Sequence, residues 1–241
     1  MITTELRDTV GVITLDRHEK RNALDIEHLD ALHTAVDELA TTARVLVITG
    51  RGTSFCAGAD LGGVHGDGFR TALYGALRAI TALPVPVLAA VNGPAIGAGT
   101  QLAIACDLRV SAPSAVFAVP TARNGLAIDP WTIRRLALLA GGGPARALLL
   151  GCERIDGERA LAHGLVDRLG SLDDALEWAR ELSGFAPGSL QYSKQALEQL
   201  FETQAGTGAL EAAFDACWHS RGSATNVPIS AGTPQTPGGT A

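Results

Sequence analysis

The sequence predicts an α/β domain with helices packed on short sheets, followed by a predominantly helical C-terminal part. Three observations carry this reading. Strand, glycine-rich loop, helix and strand follow one another twice between residues 45 and 111. Val45–Ile48 and Val85–Val91 are continuous apolar runs, the pattern of strands covered on both faces. Beyond Trp131, apolar residues recur at helical spacing.

Taken in order, the chain opens with two β-patterned runs, Thr3–Leu6 and Val10–Leu15, the second ending in the polar cluster 16–22. From Asp25, an acidic N-cap candidate, Ile26, Leu29, Leu32, Val36 and Leu39 follow at helical spacing. The strand at 45–48 leads into the glycine-rich loop 50–63, then a helix at 69–83 and the strand 85–91. The second glycine-rich loop, 92–99, runs into an apolar helix at 100–105 and a strand at 108–111. Helices are expected at 131–140, 144–150, 157–163, 172–183, 190–201 and 209–219. A core at 1–185, a helical region at 186–221 and a tail at 222–241 follow from this pattern. The tail is small, polar and rich in Pro and Gly, so it cannot offset its own ordering entropy and is expected to be disordered.

The 241 residues suit one large domain or one domain with an appendage, and 46% hydrophobic against 18% charged residues supports a sizeable core. A net charge of −6 supplies no basic footprint for nucleic acid. Only Lys20 and Lys194 are lysines, so Arg carries the positive charge. Cys56, Cys106, Cys152 and Cys217 lack the spacing of a metal site or a disulfide framework, and reduced thiols in a cytoplasmic protein are expected. No signal-peptide pattern and no apolar stretch long enough to span a membrane occurs.

The chemistry-bearing segments are Phe55-Cys-Ala-Gly-Ala-Asp-Leu61 and Asn92-Gly-Pro-Ala-Ile-Gly-Ala-Gly-Thr-Gln101. Each follows a buried strand, and small residues let backbone approach a ligand closely. The amides near Ala98 fall at a helix N-terminus, where unpaired donors and the positive end of the helix dipole coincide. Two such N–H groups aimed at one point would form an oxyanion hole. A tight turn or close helix–strand packing would account for Gly97-Ala-Gly99 equally well. A dinucleotide fingerprint is not met, because position 102 is Leu, and no phosphate-binding P-loop or serine-hydrolase elbow occurs.

These two segments together resemble the enoyl-CoA hydratase/isomerase (crotonase) family. Asn22-Ala-Leu24 after a basic pair, Cys106-Asp-Leu-Arg109 and Gly125-Leu-Ala extend the resemblance from about Gly11 to the last helices. It implies a spiral of β-β-α turns with a C-terminal helical trimerisation region, assembled as a homotrimer or dimer of trimers. It also implies an acyl-CoA ligand, coenzyme A entering as part of that ligand and not as a permanently bound cofactor. The oxyanion donors it implies are the amides of Ala59 and Ala98. Contacts to coenzyme A are implied for Ala57, Gly58, Ala59, Asp60 and Leu61 and for the segment carrying Lys20, Arg21 and Ala23. The last two side chains before Asn22 are plausible phosphate partners or simply an exposed basic turn.

Hydration of a 2-enoyl thioester needs one group to deprotonate water and another to protonate the α-carbon. The glutamates that the resemblance assigns to these tasks fall on Gln101 and Thr121, neither of which can act as a base near neutral pH. Asp129 stands where the resemblance places an aspartate in isomerase-type members, a candidate acid/base. It also precedes Pro130 and a helix, so it could cap that helix or pair with Arg134 or Arg135. Trp131 is expected to pack against a pocket or an interface, His163 to end a helix, and His65 to lie in a solvated loop. The expected function is acyl-CoA binding with weak or no hydratase activity, or isomerisation through Asp129 alone. A scaffold acting only through the C-terminal helices leaves both glycine loops unused.

Overall fold

A computed structural model describes residues 1–60, 67–201 and 208–219. The expectations for Leu61, His65 and the tail at 222–241 lie outside these residues. Strand β1 (Ile2–Arg7) turns back antiparallel onto β2 (Val10–Leu15), and β3 (Val45–Gly50), β4 (Val87–Val91), β6 (Leu108–Ser111) and β9 (Arg168–Leu169) continue the sheet in parallel. Its order is β1-β2-β3-β4-β6-β9. A second sheet, β5 (Ala95–Ile96), β7 (Val116–Ala118) and β8 (Arg154–Asp156), lies where the chain leaves the first.

Both faces of the larger sheet are covered, which is why its strands read as unbroken apolar runs. Val10, Val12, Val45, Val47, Leu88 and Ala90 pack with Ala175, Leu176 and Ala179 of α7 (Leu172–Ser183). The alternate positions Ile13, Leu46, Ile48 and Ala89 face the larger core. There they meet the buried sides of α1 (Ile26–Ala40) and α2 (Asp67–Ala82). Helix α1 begins where Asp25 predicts, its side chain accepting a hydrogen bond from the His28 N–H at 3.0 Å. Helix α3 (Ala98–Ala105) has every residue buried, as its all-round apolar sequence requires.

The remaining helices are α4 (Pro130–Ala140), α5 (Gly142–Leu149), α6 (Gly157–Ala162), α8 (Pro187–Phe201) and α9 (Gly208–His219). The predominantly helical reading of the C-terminal part holds, with β8 and β9 as short strands it did not include. Two or three residues are too few to show strand alternation, and pairing partners distant in sequence define these strands instead. Helix α8 is tied to the core by Lys194–Asp107 at 2.8 Å and Arg135–Glu198 at 2.6 Å. Cys56, Cys106 and Cys152 are buried thiols, and no disulfide occurs among the described residues. None of the described helices is long and apolar enough to cross a membrane, and no described cluster of His, Cys, Asp and Glu could hold a metal ion.

Candidate functional site

The two glycine segments leave the ends of β3 and β4, neighbours in the sheet, and therefore meet. They pair as backbone: Cys56 N–H donates to Pro94 O at 3.0 Å, and Ile96 N–H donates to Cys56 O at 2.9 Å. Two glycines make this approach possible. A Cβ on Gly99 would lie 2.1 Å from Cys56 O. On Gly58, whose φ is +100°, it would lie 2.6 Å from Ile96 O. The same added Cβ on Gly58 would stand 3.7 Å from the amide nitrogen of Ala98.

The flanking hydrogen bonds fix where Ala59 points. Leu24 N–H donates to Gly58 O at 2.8 Å, and Asp60 N–H donates to Leu24 O at 2.7 Å. In such a parallel bridge the residue between the two bonded groups turns its own N–H and C=O away from the partner strand. Ala59 is that residue. Ala98 is the first residue of α3, so its N–H has no acceptor within the helix. Both residues line one cleft.

Residues 17–25 brace this arrangement. Asn22 is buried in a left-handed conformation, its side chain accepting from Arg17 N–H and donating to Arg51 O and Ser54 O. Arg17 pairs with Asp25 at 3.1 Å and with Asp60 at 3.0 Å, so Asp60 anchors its loop. Arg21 O accepts from Ala57 N–H at 3.0 Å, while the side chains of Lys20 and Arg21 extend into solvent. Ala23 follows, its carbonyl held by Arg17 at 3.1 Å.

The cleft encloses about 670 Å³, part of it open to solvent. Phe69 and Leu73 from α2, Leu126, Ile128 and Trp218 give it apolar walls. Trp218, on α9, donates to Ala127 O at 3.2 Å, and Arg70 holds that helix through Asp215 at 3.0 Å and over the Phe214 and Trp218 rings. Gln101 and Thr121 both line the cleft, as does Tyr74.

Asp129 is 8% exposed and does not line the cleft. It caps α4, Oδ1 accepting from Thr132 N–H at 3.0 Å. Its Oδ2 accepts from Thr132 Oγ1 at 2.5 Å and from Gln101 Nε2 at 3.0 Å. Gln101 Nε2 also donates to Thr132 Oγ1 at 2.9 Å. The expected pairing with Arg134 or Arg135 does not occur. Arg135 points back to Ile104 O and Glu198, and Arg134 donates to Leu200 O. Tyr74 belongs to the same cluster: burial foremost, then the Asp129 charge and hydrogen bonding to it, push its phenol upward. It stays neutral at physiological pH.

The structure gathers Ala57, Gly58, Ala59, Ala98, Gln101 and Thr121, all singled out in the sequence, in one cleft, and puts Asp129, the candidate acid/base or helix cap, behind it. Sequence reasoning did not foresee that last placement. It missed Arg17, Tyr74, Thr132 and Trp218. Thr132 carried a signal, three residues after an N-cap Asp, but the other three depend on contacts between distant segments. Trp131, expected against a pocket or an interface, instead packs against the larger core beneath Arg135, while His163 ends α6 as expected.

Backbone donors facing an apolar cleft between two glycine loops define a class of site suited to polarising a carbonyl. The model of the enoyl-CoA hydratase/isomerase family matches residues 5–221. A probable enoyl-CoA hydratase of Mycobacterium leprae is 43% identical over 92% of each chain. The crystal structure of an enoyl-CoA hydratase from Mycobacterium avium subsp. paratuberculosis, 26% identical, superposes with a TM-score of 0.81 over 92% of this chain and 98% of that one. A monofunctional enoyl-CoA isomerase from M. smegmatis is 27% identical, with a TM-score of 0.74 over 87% and 98%. The chain belongs to the enoyl-CoA hydratase/isomerase family and has its crotonase fold.

Proposed function

We propose that the protein binds acyl-CoA thioesters, holds the thioester oxygen on the amides of Ala59 and Ala98, and hydrates enoyl thioesters weakly or not at all. One observation carries this: the cleft reached by both amides is lined, among the described residues, by no carboxylate. Gln101 and Thr121 stand there instead, and the carboxylate behind them is engaged by Thr132, Gln101 and Tyr74. Lys20 and Arg21, exposed beside the loop that Arg21 O pairs with, suit the coenzyme A phosphates.

Removal of one general acid or base costs about 10²–10⁴-fold in typical enzymes. Hydration of crotonyl-CoA by the purified protein is therefore expected to be slower than that of a glutamate-bearing relative by at least this factor. Calorimetry should detect binding of long-chain acyl-CoA, with the ligand recovered unchanged. Turnover equal to that relative's overturns the reading.

A second reading, isomerisation with Asp129 as the single acid/base, is favoured by its 3.0 Å contact with Gln101, which does line the cleft, and by the likeness to an isomerase. A double-bond shift that survives Asp129→Asn undiminished eliminates it. A homotrimer or dimer of trimers fits the exposed Ile133, Leu138, Leu197 and Leu200 of α4 and α8. Light scattering at several protein concentrations tests it. A cytoplasmic role in lipid metabolism accords with the buried thiols of Cys56, Cys106 and Cys152 and with the ligand class.

A further inference from the structure

One end of the cleft is closed by a helix that belongs to neither sheet. Gln101 lies one helical turn after Ala98, the two Cβ atoms roughly 5–6 Å apart. Its amide reaches Asp129, and the residues just before Asp129, Leu126, Ala127 and Ile128, form the next stretch of cleft wall. Trp218 of α9 donates to Ala127 O at 3.2 Å there and lines the cleft itself. Lys20 and Arg21 lie toward the other end, where Arg21 O accepts from Ala57 N–H. An acyl chain whose carbonyl sits on the Ala59 and Ala98 amides, with its coenzyme toward residues 20–21, therefore runs toward Trp218.

Helix α9 is moored along a single stripe. Phe214, Cys217 and Trp218, spaced i, i+3 and i+4, are partly buried, whereas 211–213, 215 and 216 are exposed. Twelve residues are too few to hold a helix by themselves in water, so contacts along that stripe keep it formed. Arg70, itself only 16% exposed, grips this helix by charge and by ring. Its Nη1 donates to Asp215 at 3.0 Å, and its guanidinium stands 5.1 Å from the centre of the Phe214 ring and 5.4 Å from that of Trp218. Asp67, one turn earlier on α2, accepts from Nη2 at 2.9 Å and steadies the grip. The turn of α2 that lends Phe69 and Leu73 to the cleft thus also holds its end wall in place.

Resting on the acyl-CoA reading above, we propose that Trp218 limits the length of acyl chain the cleft buries, and that Arg70 is a positioning residue that clamps α9 so that the indole stands across the acyl end. Methylenes short of the indole are buried against apolar walls. Those beyond it are turned out into solvent, because the cleft is partly open. The limit is therefore set by a helix near the end of the chain and not by the loops that hold the thioester, so it can move while the grip on the carbonyl stays.

Dissociation constants for saturated acyl-CoA thioesters from butanoyl to tetradecanoyl, in two-carbon steps, measured by calorimetry on the full chain, test this. Wild-type affinity should rise by about fourfold per buried methylene and then level off at one chain length. Trp218→Ala should carry the rise at least one two-carbon step further, making the first chain beyond the wild-type limit about tenfold tighter relative to the chain before it. Arg70→Ala, which keeps the indole but frees α9, should move the limit in the same direction. The double variant should go no further than Trp218→Ala alone, because the two residues act as one device. A merely structural role for either residue would weaken every chain by a common factor and leave the limit where it was. A wild-type series that never levels off, or a limit unmoved in either single variant, overturns the inference. Binding of no acyl-CoA at any length overturns the acyl-CoA reading instead.

Discussion

The two sides of the cleft are built by opposite means. The loop side uses backbone: Ala59 and Ala98 contribute amides whose directions are set by bridges to Leu24 and by the start of α3, and their methyl groups are incidental. The floor uses side chains, Gln101, Asp129, Thr132 and Tyr74, whose directions are set by one another. Backbone chemistry tolerates any small residue at the donor itself but almost none at the neighbouring contact points. Side-chain chemistry tolerates neighbours but changes character with a single atom. On the proposed reading, the same cleft would keep its capacity to hold a carbonyl while the side chains beneath it change the chemistry.

The largest effect expected from this contrast is at Gly99. A methyl group there meets the Cys56 carbonyl, a backbone atom that cannot swing aside, so Gly99→Ala must part the two loops. We expect a loss of about 3 kcal/mol in urea unfolding and no measurable acyl-CoA binding. A variant that retains both stability and binding would remove the backbone packing from the account. Gln101→Met, by contrast, leaves the loops together and should cost only the donor lost to the buried Asp129 carboxylate, about 1–3 kcal/mol.

Alkaline pH should strain the loop side next. Burial pushes the Cys56 thiol, beneath the first loop, up to about 12, and burial does the same to Cys106 on the helix side. The sign follows from the raised folded values. The stabilisation is complete below the unfolded thiol range near 9 and is lost as pH climbs through it toward 12. By pH 10 each thiol should have cost about 1.4 kcal/mol relative to pH 7. Urea midpoints between pH 7 and 10 measure this, and Cys56→Ala should flatten the slope by about half. An unchanged slope would mean that the thiol is open to water when the protein is folded.

The difference between the two sides also explains how far the sequence could be read. Gly58, Ala59, Gly97 and Gly99 lie within short segments, and close backbone approach leaves a local trace because only small residues permit it. The alternating contacts of Val45 and Val47 with α7, and of Leu46 and Ile48 with the other core, were likewise written into a continuous apolar run. The floor left no such trace. Tyr74 sits among Phe69, Leu73, Leu77 and Ile80 on an apolar helix face and reads as core, and only the fold puts it beside Gln101 and Asp129. Asp129 was legible as a helix cap from Asp-Pro but not as the partner of a glutamine on another helix. Trp218 closes the cleft from nearly the end of the chain, beyond the reach of any local pattern.

A smaller effect belongs to the brace between these regions. Arg17 is largely buried and ties Asp60 of the first loop to Asp25 at the start of α1. Arg17→Ala leaves the loop glycines in place but removes one tie of Asp60 and the link to Asp25, so acyl-CoA affinity should fall by about threefold to tenfold. An affinity equal to that of wild type would show that the first loop holds its place without the brace.

The smallest effect separates the coenzyme end from the acyl end. Lys20 and Arg21 are exposed and lack ion-pair partners among the described residues, so contacts they make with phosphate operate in high dielectric. Each of Lys20→Ala and Arg21→Ala should weaken acyl-CoA binding by no more than about fivefold, and stability should be unaffected. Because the interaction is screened, the wild-type advantage should shrink further between 50 mM and 500 mM salt. The loop amides, enclosed within the cleft, should show no such dependence. If both variants bind as wild type at low salt, phosphate recognition passes to backbone, and this end of the ligand too is held without side chains.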